Sequence, residues 1–162
     1  MATETSIRAA VVTVSDTRTE ADDTSGRKLA ELLTDLGAQL TERLIVTDDY
    51  ENLRNTLFSL AERDDVNLVL TTGGTGLAER DNTPEATNSI IQKEAPGIAE
   101  AIRAASLKIT PMAMISRGTA GVRNGTLIIN LPGSEKGVAE TFEVIRPILR
   151  HAVDLVSGKT EH

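Results

Sequence analysis

With 40% hydrophobic but only 2% aromatic side chains, this 162-residue chain must build its core from Val, Ile, Leu and Ala, and it is long enough to bury roughly two-thirds of its unfolded surface without a staple. Seventeen basic against 24 acidic residues give a net charge of -7, which excludes a general binder of nucleic-acid backbones, although local N–H groups and one or two arginines can still hold a small anion. The absence of Cys removes disulfides, thiolate metal sites and a cysteine nucleophile, while the lack of a leader-like start or a long apolar run predicts a cytoplasmic protein with no membrane contact.

Residues 1–6 are polar and are expected to form a loose tail. Residues 9–14, AAVVTV, read as a buried strand that ends at Ser15 and Asp16. Leu29, Leu32, Leu33 and Leu36 then recur at helical spacing, and Gly37 is a natural stop. Residues 39–46 alternate in character, as a strand near a sheet edge would, and close on Thr47, Asp48 and Asp49. A second amphipathic helix carries Leu53, Leu57, Leu60 and Ala61.

The central stretch spans residues 67–84. Leu68, Val69 and Leu70 form a short apolar run suited to a parallel strand buried on both faces. It is followed by Thr71, Thr72, Gly73, Gly74, Thr75 and Gly76, where three glycines in four positions let main-chain N–H groups converge on an anion. Asp81 comes next, and Thr83 with Pro84 reads as a cap and first-turn pair opening a helix. A carboxylate beside a phosphate cradle makes chemical sense with a divalent cation between them. The same residues would also serve a plain strand-to-helix turn with a solvated acid.

The helical pattern of residues 84–94 is interrupted by Pro96 and Gly97 and restarts through Ile98, Ala101, Ile102 and Ala105. Residues 112–115 suggest a strand. Asn124 and Gly125 favour a tight hairpin pairing 119–123 with 127–131, which ends in Pro132, Gly133 and Ser134. A helical stripe of Val138, Phe142, Ile145, Leu149, Val153 and Val156 follows, which Pro147 is expected to kink or restart. The acid pairs Asp22 with Asp23 and Asp64 with Asp65 read as solvated loops, and neither His151 nor His162 stands near a motif.

Alternating strands and helices with crossovers of this length predict a three-layer α/β/α fold with a mostly parallel sheet, formed as a single domain over residues 1–162. In such sheets the carboxyl ends of the strands share one rim, and ligands bind where the strand order reverses. Ser15 and Asp16, Asp48 and Asp49, the 71–81 stretch, and Pro132 to Ser134 would all meet there.

The segments TTGGTG (71–76) and RDNTPEAT (80–87), with VSD (14–16), DTSG (23–26), SRGTAGV (116–122) and LPGSEKG (131–137), closely resemble the MoaB/Mog family of molybdenum cofactor biosynthesis, in that family's motif order over about residues 9–142. The resemblance implies a molybdopterin-binding α/β/α domain and, in active members, Mg²⁺-dependent adenylylation of molybdopterin by ATP with release of pyrophosphate. Asp81 then falls on a functionally important acid and Asp48 on a second, with a one-residue ambiguity at Asp49; both are the residues implied to position Mg²⁺. Thr72, Gly73, Gly74, Thr75, Gly76, Ser116, Arg117, Pro132, Gly133 and Ser134 match the pterin and phosphate pocket, and Ser15 and Asp16 join them from the rim. Glu135 and Gly137 depart from residues common in relatives. A homo-oligomer, trimer or hexamer, is also implied. Whether the molybdate-inserting enzyme of the pathway docks here stays open.

Attack by a phosphate oxygen on the α-phosphorus of ATP demands charge neutralisation and alignment of two anions, with no general base, because the nucleophile is already ionised near neutral pH. That fits a chain with no His near its motifs. The alternative is a protein of the same pathway that binds molybdopterin or a nucleotide as a carrier or scaffold without turnover. A related domain acting on other nucleotides, as in the competence-damage proteins, is disfavoured because no second domain is evident. Ser134 lies outside a GxSxG elbow, so serine hydrolase chemistry is rejected.

Overall fold

The structure, a computed structural model, describes residues 4–158. Six strands, β1 (Arg8–Val14), β2 (Gln39–Val46), β3 (Leu68–Thr72), β4 (Lys93–Glu94), β5 (Ala120–Arg123) and β6 (Thr126–Leu131), form one sheet in the order β2-β1-β3-β6-β5-β4. The first four neighbours run parallel, and β5 is antiparallel to both β6 and β4. Five helices accompany them: α1 (Thr24–Asp35), α2 (Tyr50–Ala61), α3 (Thr83–Ile90), α4 (Pro96–Leu107) and α5 (Glu135–Val156).

The two-residue period of the strands divides the core into halves. Ala9 and Val11 of β1, Leu68 and Leu70 of β3, and Leu127 and Ile129 of β6 face one way and pack on Leu29 and Leu33 of α1 and Phe142, Ile145 and Leu149 of α5. Ala10, Val12, Val69 and Ile128 face the other way, onto Leu53, Leu57 and Leu60 of α2 and Ala86 and Ile90 of α3. Helices on both faces of a mostly parallel sheet are the three-layer arrangement that the sequence predicts. β2 stays half exposed at the edge, and the Asn124–Gly125 hairpin forms with positive φ at both residues.

Several expectations need correction. The helix expected over 84–94 stops at Ile90, and Ile91 turns extended to feed the short polar strand β4, whose two residues carry no apolar signature. Residues 112–115 are not a strand. Pro111–Ile115 is a 3-10 helix, because Thr110 caps the Met112 N–H at 3.2 Å and Pro111 takes the first helical position. α5 runs without a break past Pro147, which lies on the exposed face where water can solvate the Glu143 carbonyl left without a donor. The first three residues of the expected loose tail, and His162, lie outside the described residues. The next ones are tied down, with the Thr5 N–H donating to Asp154 at 2.8 Å and the Ser6 carbonyl accepting from Asn67 at 2.9 Å.

Asp23 is the largest correction. Its side chain is fully buried, caps α1 through the Gly26 N–H at 3.1 Å and accepts the Thr13 hydroxyl at 3.0 Å. Arg43 at 3.6 Å and Arg18 at 4.0 Å balance its charge. Asp22, its neighbour, is the solvated loop acid expected, accepting the Thr19 N–H at 2.5 Å on the surface. Removing the buried carboxylate strands the Thr13 hydroxyl and leaves Arg43 without its partner. Asp23→Ala should therefore lower unfolding free energy by about 3 kcal/mol in urea titrations, while Asp22→Ala should leave the urea midpoint close to that of the parent.

Candidate active site

The parallel strands β1, β2, β3 and β6 deliver their carboxyl ends to one rim, and the chain reverses its direction of travel across the sheet between β1 and β3. The glycine loop sits in that crevice. Gly73 and Gly74 have φ of 99° and 69°, a region that L side chains rarely adopt. A Cβ at Gly73 would lie 2.6 Å from the Val14 carbonyl oxygen, and one at Gly74 would lie 2.3 Å from the Thr83 hydroxyl. Thr83 is not the helix cap; Asn82 holds that position, and Thr83 instead donates its hydroxyl to the Gly73 carbonyl at 2.9 Å and its N–H to the Gly74 carbonyl at 3.1 Å. The Gly73 N–H is taken by the Leu131 carbonyl at 3.2 Å, so it is not available to an anion. No protein acceptor is present for the N–H groups of Gly74, Thr75 and Gly76 among the described residues.

Three aspartates from three loops gather beside this turn. Asp16, after β1, accepts the Asp48 N–H at 2.8 Å and lies 3.5 Å from the Arg80 guanidinium. Asp48, after β2, is 6% exposed, and its Oδ1 stands 3.4 Å from where a Gly74 Cβ would be. Asn82 reaches the Asp48 carbonyl at 3.1 Å. Asp81 accepts the Ala78 N–H at 3.1 Å, and its Oδ2 would lie 2.8 Å from a Gly76 Cβ. Asp49 turns away and caps α2 through the Asn52 N–H at 2.9 Å, which leaves Asp48 as the acid facing the rim.

Next to the turn lies a cavity of about 420 Å³ whose lining includes none of these three aspartates. Of the residues singled out in sequence, Thr75, Gly76, Ser116, Pro132 and Ser134 line it. Thr75 and Gly76 thus border both compartments. Its apolar wall comes from Ile102, Ile109, Met112 and Ile115, and Arg103, Lys136 and Glu140 supply charge. These residues escaped the sequence reading because α4 was legible only for its buried stripe, and Lys136 was one of many surface cations.

Other expected residues hold the loops together. The Thr72 hydroxyl donates to the Pro132 carbonyl at 2.7 Å, and a Cβ at Gly133 would lie 3.3 Å from the Gly73 Cα. Ser134 caps α5 through the Gly137 N–H at 3.0 Å, and the Ser15 oxygen accepts the N–H groups of Thr17 and Arg18 at 3.2 and 3.1 Å. Arg18, unremarked in sequence, donates to the Gly133 carbonyl at 3.0 Å. Arg117 spends its donors on the protein, reaching the Gly76 carbonyl at 2.8 Å, the Asp81 carbonyl at 2.9 Å and the Glu85 carboxylate.

Burial pushes the Asp48 carboxyl above the usual carboxylate range, the Asp16 charge adds to the rise, Arg80 opposes it, and Asp81 raises it further. An acid whose folded-state value is raised penalises the native state once it is ionised. That penalty is absent below the ordinary carboxylate range, grows as pH rises toward the raised value and is complete above it. Asp48→Asn should accordingly unfold at a higher temperature than the parent at pH 7, with the gap closing as pH falls below about 4 in paired melting curves.

Residues 10–151 match a protein family described as "Probable molybdopterin binding domain". The chain is 42% identical over 139 residues to a molybdopterin adenylyltransferase of Helicobacter pylori, covering 85% of this chain and 79% of the relative. It is 41% identical over 150 residues to molybdenum cofactor biosynthesis protein B of Halalkalibacterium halodurans, covering 91% and 88%. The crystal structure of the molybdopterin biosynthesis enzyme MoaB of Thermus thermophilus superimposes with a TM-score of 0.86 at 45% identity, over 94% of this chain and 97% of that one. Glycine turn, aspartates and cavity thus lie within a chain that belongs to the MoaB/Mog family of molybdopterin-binding domains in molybdenum cofactor biosynthesis.

Proposed function

We propose that residues 1–162 form one molybdopterin-binding domain that joins molybdopterin to AMP, using ATP and releasing pyrophosphate. The observation that carries this reading is the division of the rim. Amides without protein partners among the described residues and three aspartates stand beside the glycine turn, and a cavity with an apolar wall, lined by Thr75 and Gly76 but by none of those aspartates, adjoins it. The terminal phosphate of the pterin has to approach the α-phosphorus of the nucleotide, so two sites meeting at Thr75 and Gly76 suit the reaction.

In this reading the cavity receives the pterin, with Ser116, Pro132 and Ser134 as its polar border. The N–H groups of Gly74, Thr75 and Gly76 hold a phosphate oxygen and offset the charge that develops in the transition state. A phosphate oxygen of the pterin forms the new bond to the α-phosphorus, and the bond to the pyrophosphate oxygen breaks with its electron pair. No side chain need take a proton. His151 lies on the exposed face of α5.

Mg²⁺ fits the donor set as an ion carried in on the triphosphate. Such an ion takes one or two protein carboxylates and completes its shell with phosphate oxygens and water. Asp48 and Asp81 would hold it, and the like-charge crowding that raises Asp48 is what a cation there would relieve. When bound it would neutralise the triphosphate and make the α-phosphorus more electrophilic.

The homo-oligomer, trimer or hexamer, and docking of the molybdate-inserting enzyme belong to this reading, as does a cytoplasmic setting, which suits an ATP-dependent reaction. Leu77, Ile109, Met112 and Met114 are each more than half exposed and provide an apolar surface for subunit contact. No helix among the described residues is long and apolar enough to cross a membrane.

Incubation with molybdopterin, ATP and Mg²⁺ should yield adenylylated pterin and pyrophosphate. Pterin binding without product would favour the carrier instead. Asp81→Asn and Asp48→Asn should each reduce turnover by ~10²-fold or more while melting cooperatively, and full activity in either would remove its assigned role.

A further inference from the structure

Arg117 was expected to hold a ligand phosphate, yet its side chain is closed around the protein's own loop. Its backbone N–H donates to the Thr75 carbonyl at 2.8 Å and its Nε to the Gly76 carbonyl at 2.8 Å. One terminal nitrogen donates to the Asp81 carbonyl at 2.9 Å, and the other pairs with Glu85 in the first turn of α3. The guanidinium fork therefore bridges the two ends of the 76–81 loop, an arrangement that needs several fixed donors in one plane. A Cβ at Gly76 would lie 2.8 Å from the Asp81 Oδ2, which also accepts the Ala78 N–H at 3.1 Å, so the Asp81 carboxylate is held inside the 76–81 loop whose two ends Arg117 ties together. Ser116, the preceding residue, lines the cavity together with Thr75 and Gly76.

We propose that Arg117 is a positioning residue: it sets the span between Gly76 and Asp81, and so aims the Asp81 carboxylate, while anchoring the cavity wall at Ser116 to the same loop. The proposal deepens the adenylyl-transfer reading and rests on it for its kinetic consequences. It makes no contact with substrate through Arg117.

A lysine can replace the charge of an arginine at a phosphate but cannot span two carbonyls and a carboxylate, which separates the two roles. Arg117→Ala and Arg117→Lys should both lower kcat by ~10- to 10²-fold, with KM for ATP and for the pterin within about threefold of the parent. Amide exchange of residues 76–81 in the ligand-free protein should quicken in both. Glu85→Gln, which leaves the guanidinium in place but weakens its anchor, should show a smaller loss of the same kind and covers the case in which the Arg117 variants fail to fold.

A tenfold rise in either KM with kcat retained, recovery of activity in Arg117→Lys, or unchanged exchange of 76–81 in all folded variants would overturn the positioning role. The exchange measurement involves no substrate. If the parent makes no adenylylated pterin while exchange still responds as stated, the adenylyl-transfer reading fails and the strut survives.

Discussion

Everything at the rim follows from how closely three backbones approach one another at the carboxyl ends of β1, β3 and β6. A Cβ at Gly73 would lie 2.6 Å from the Val14 carbonyl oxygen, and one at Gly133 would lie 3.3 Å from the Gly73 Cα, so this junction is packed to the width of glycine. This contact draws the loops after β1, β3 and β6 to the crevice where the strand order reverses. It also fixes the main chain through Gly74 to Gly76, whose amides have no protein partner among the described residues. Threonine hydroxyls complete the clamp, Thr83 onto Gly73 and Thr72 onto Pro132. The site is thus built chiefly from main chain, and the few carboxylates are hung on a frame that is already set.

Charge is distributed across that frame with little compensation. Asp16, Asp48 and Asp81 approach from different strands, while Arg80 is the cation that offsets Asp48 from nearby and is itself largely exposed. Natural folds accept such crowding where a ligand brings the missing countercharge. The buried Asp23 is the opposite case. Its hydrogen bonds and two arginines satisfy it completely, so it serves the fold and stays hidden from solvent.

Much of this was legible in the residues. Strands β1, β2, β3 and β6 announced themselves as apolar or alternating runs closed by polar pairs, and their shared direction followed from the intervening helices. Asp48 and Asp81 stand out by motif, and both lie beside the glycine turn. Where the sequence misled, a tertiary partner had changed the meaning of a residue. Asp23 looked solvated because Thr13 and Arg43 are distant in the chain. Thr83 looked like a cap because its true acceptor is a glycine carbonyl ten residues away. Arg117 matches a pocket motif, and nothing in its place along the chain reveals that its guanidinium reaches two main-chain carbonyls and Glu85. The cavity wall of Arg103, Met112 and Ile115 was invisible, since it depends on a 3-10 turn packing against α4.

One feature of α2 gives the rim an optical address. The helix starts at Tyr50, two positions after Asp48, and the chain contains no other tyrosine and no tryptophan. The protein's near-ultraviolet emission therefore arises almost entirely from a single phenol close to Asp48 at the rim, partly buried against the α2 and α3 side of the sheet. Quenching or brightening of that signal reads events at one corner of the molecule without any attached dye.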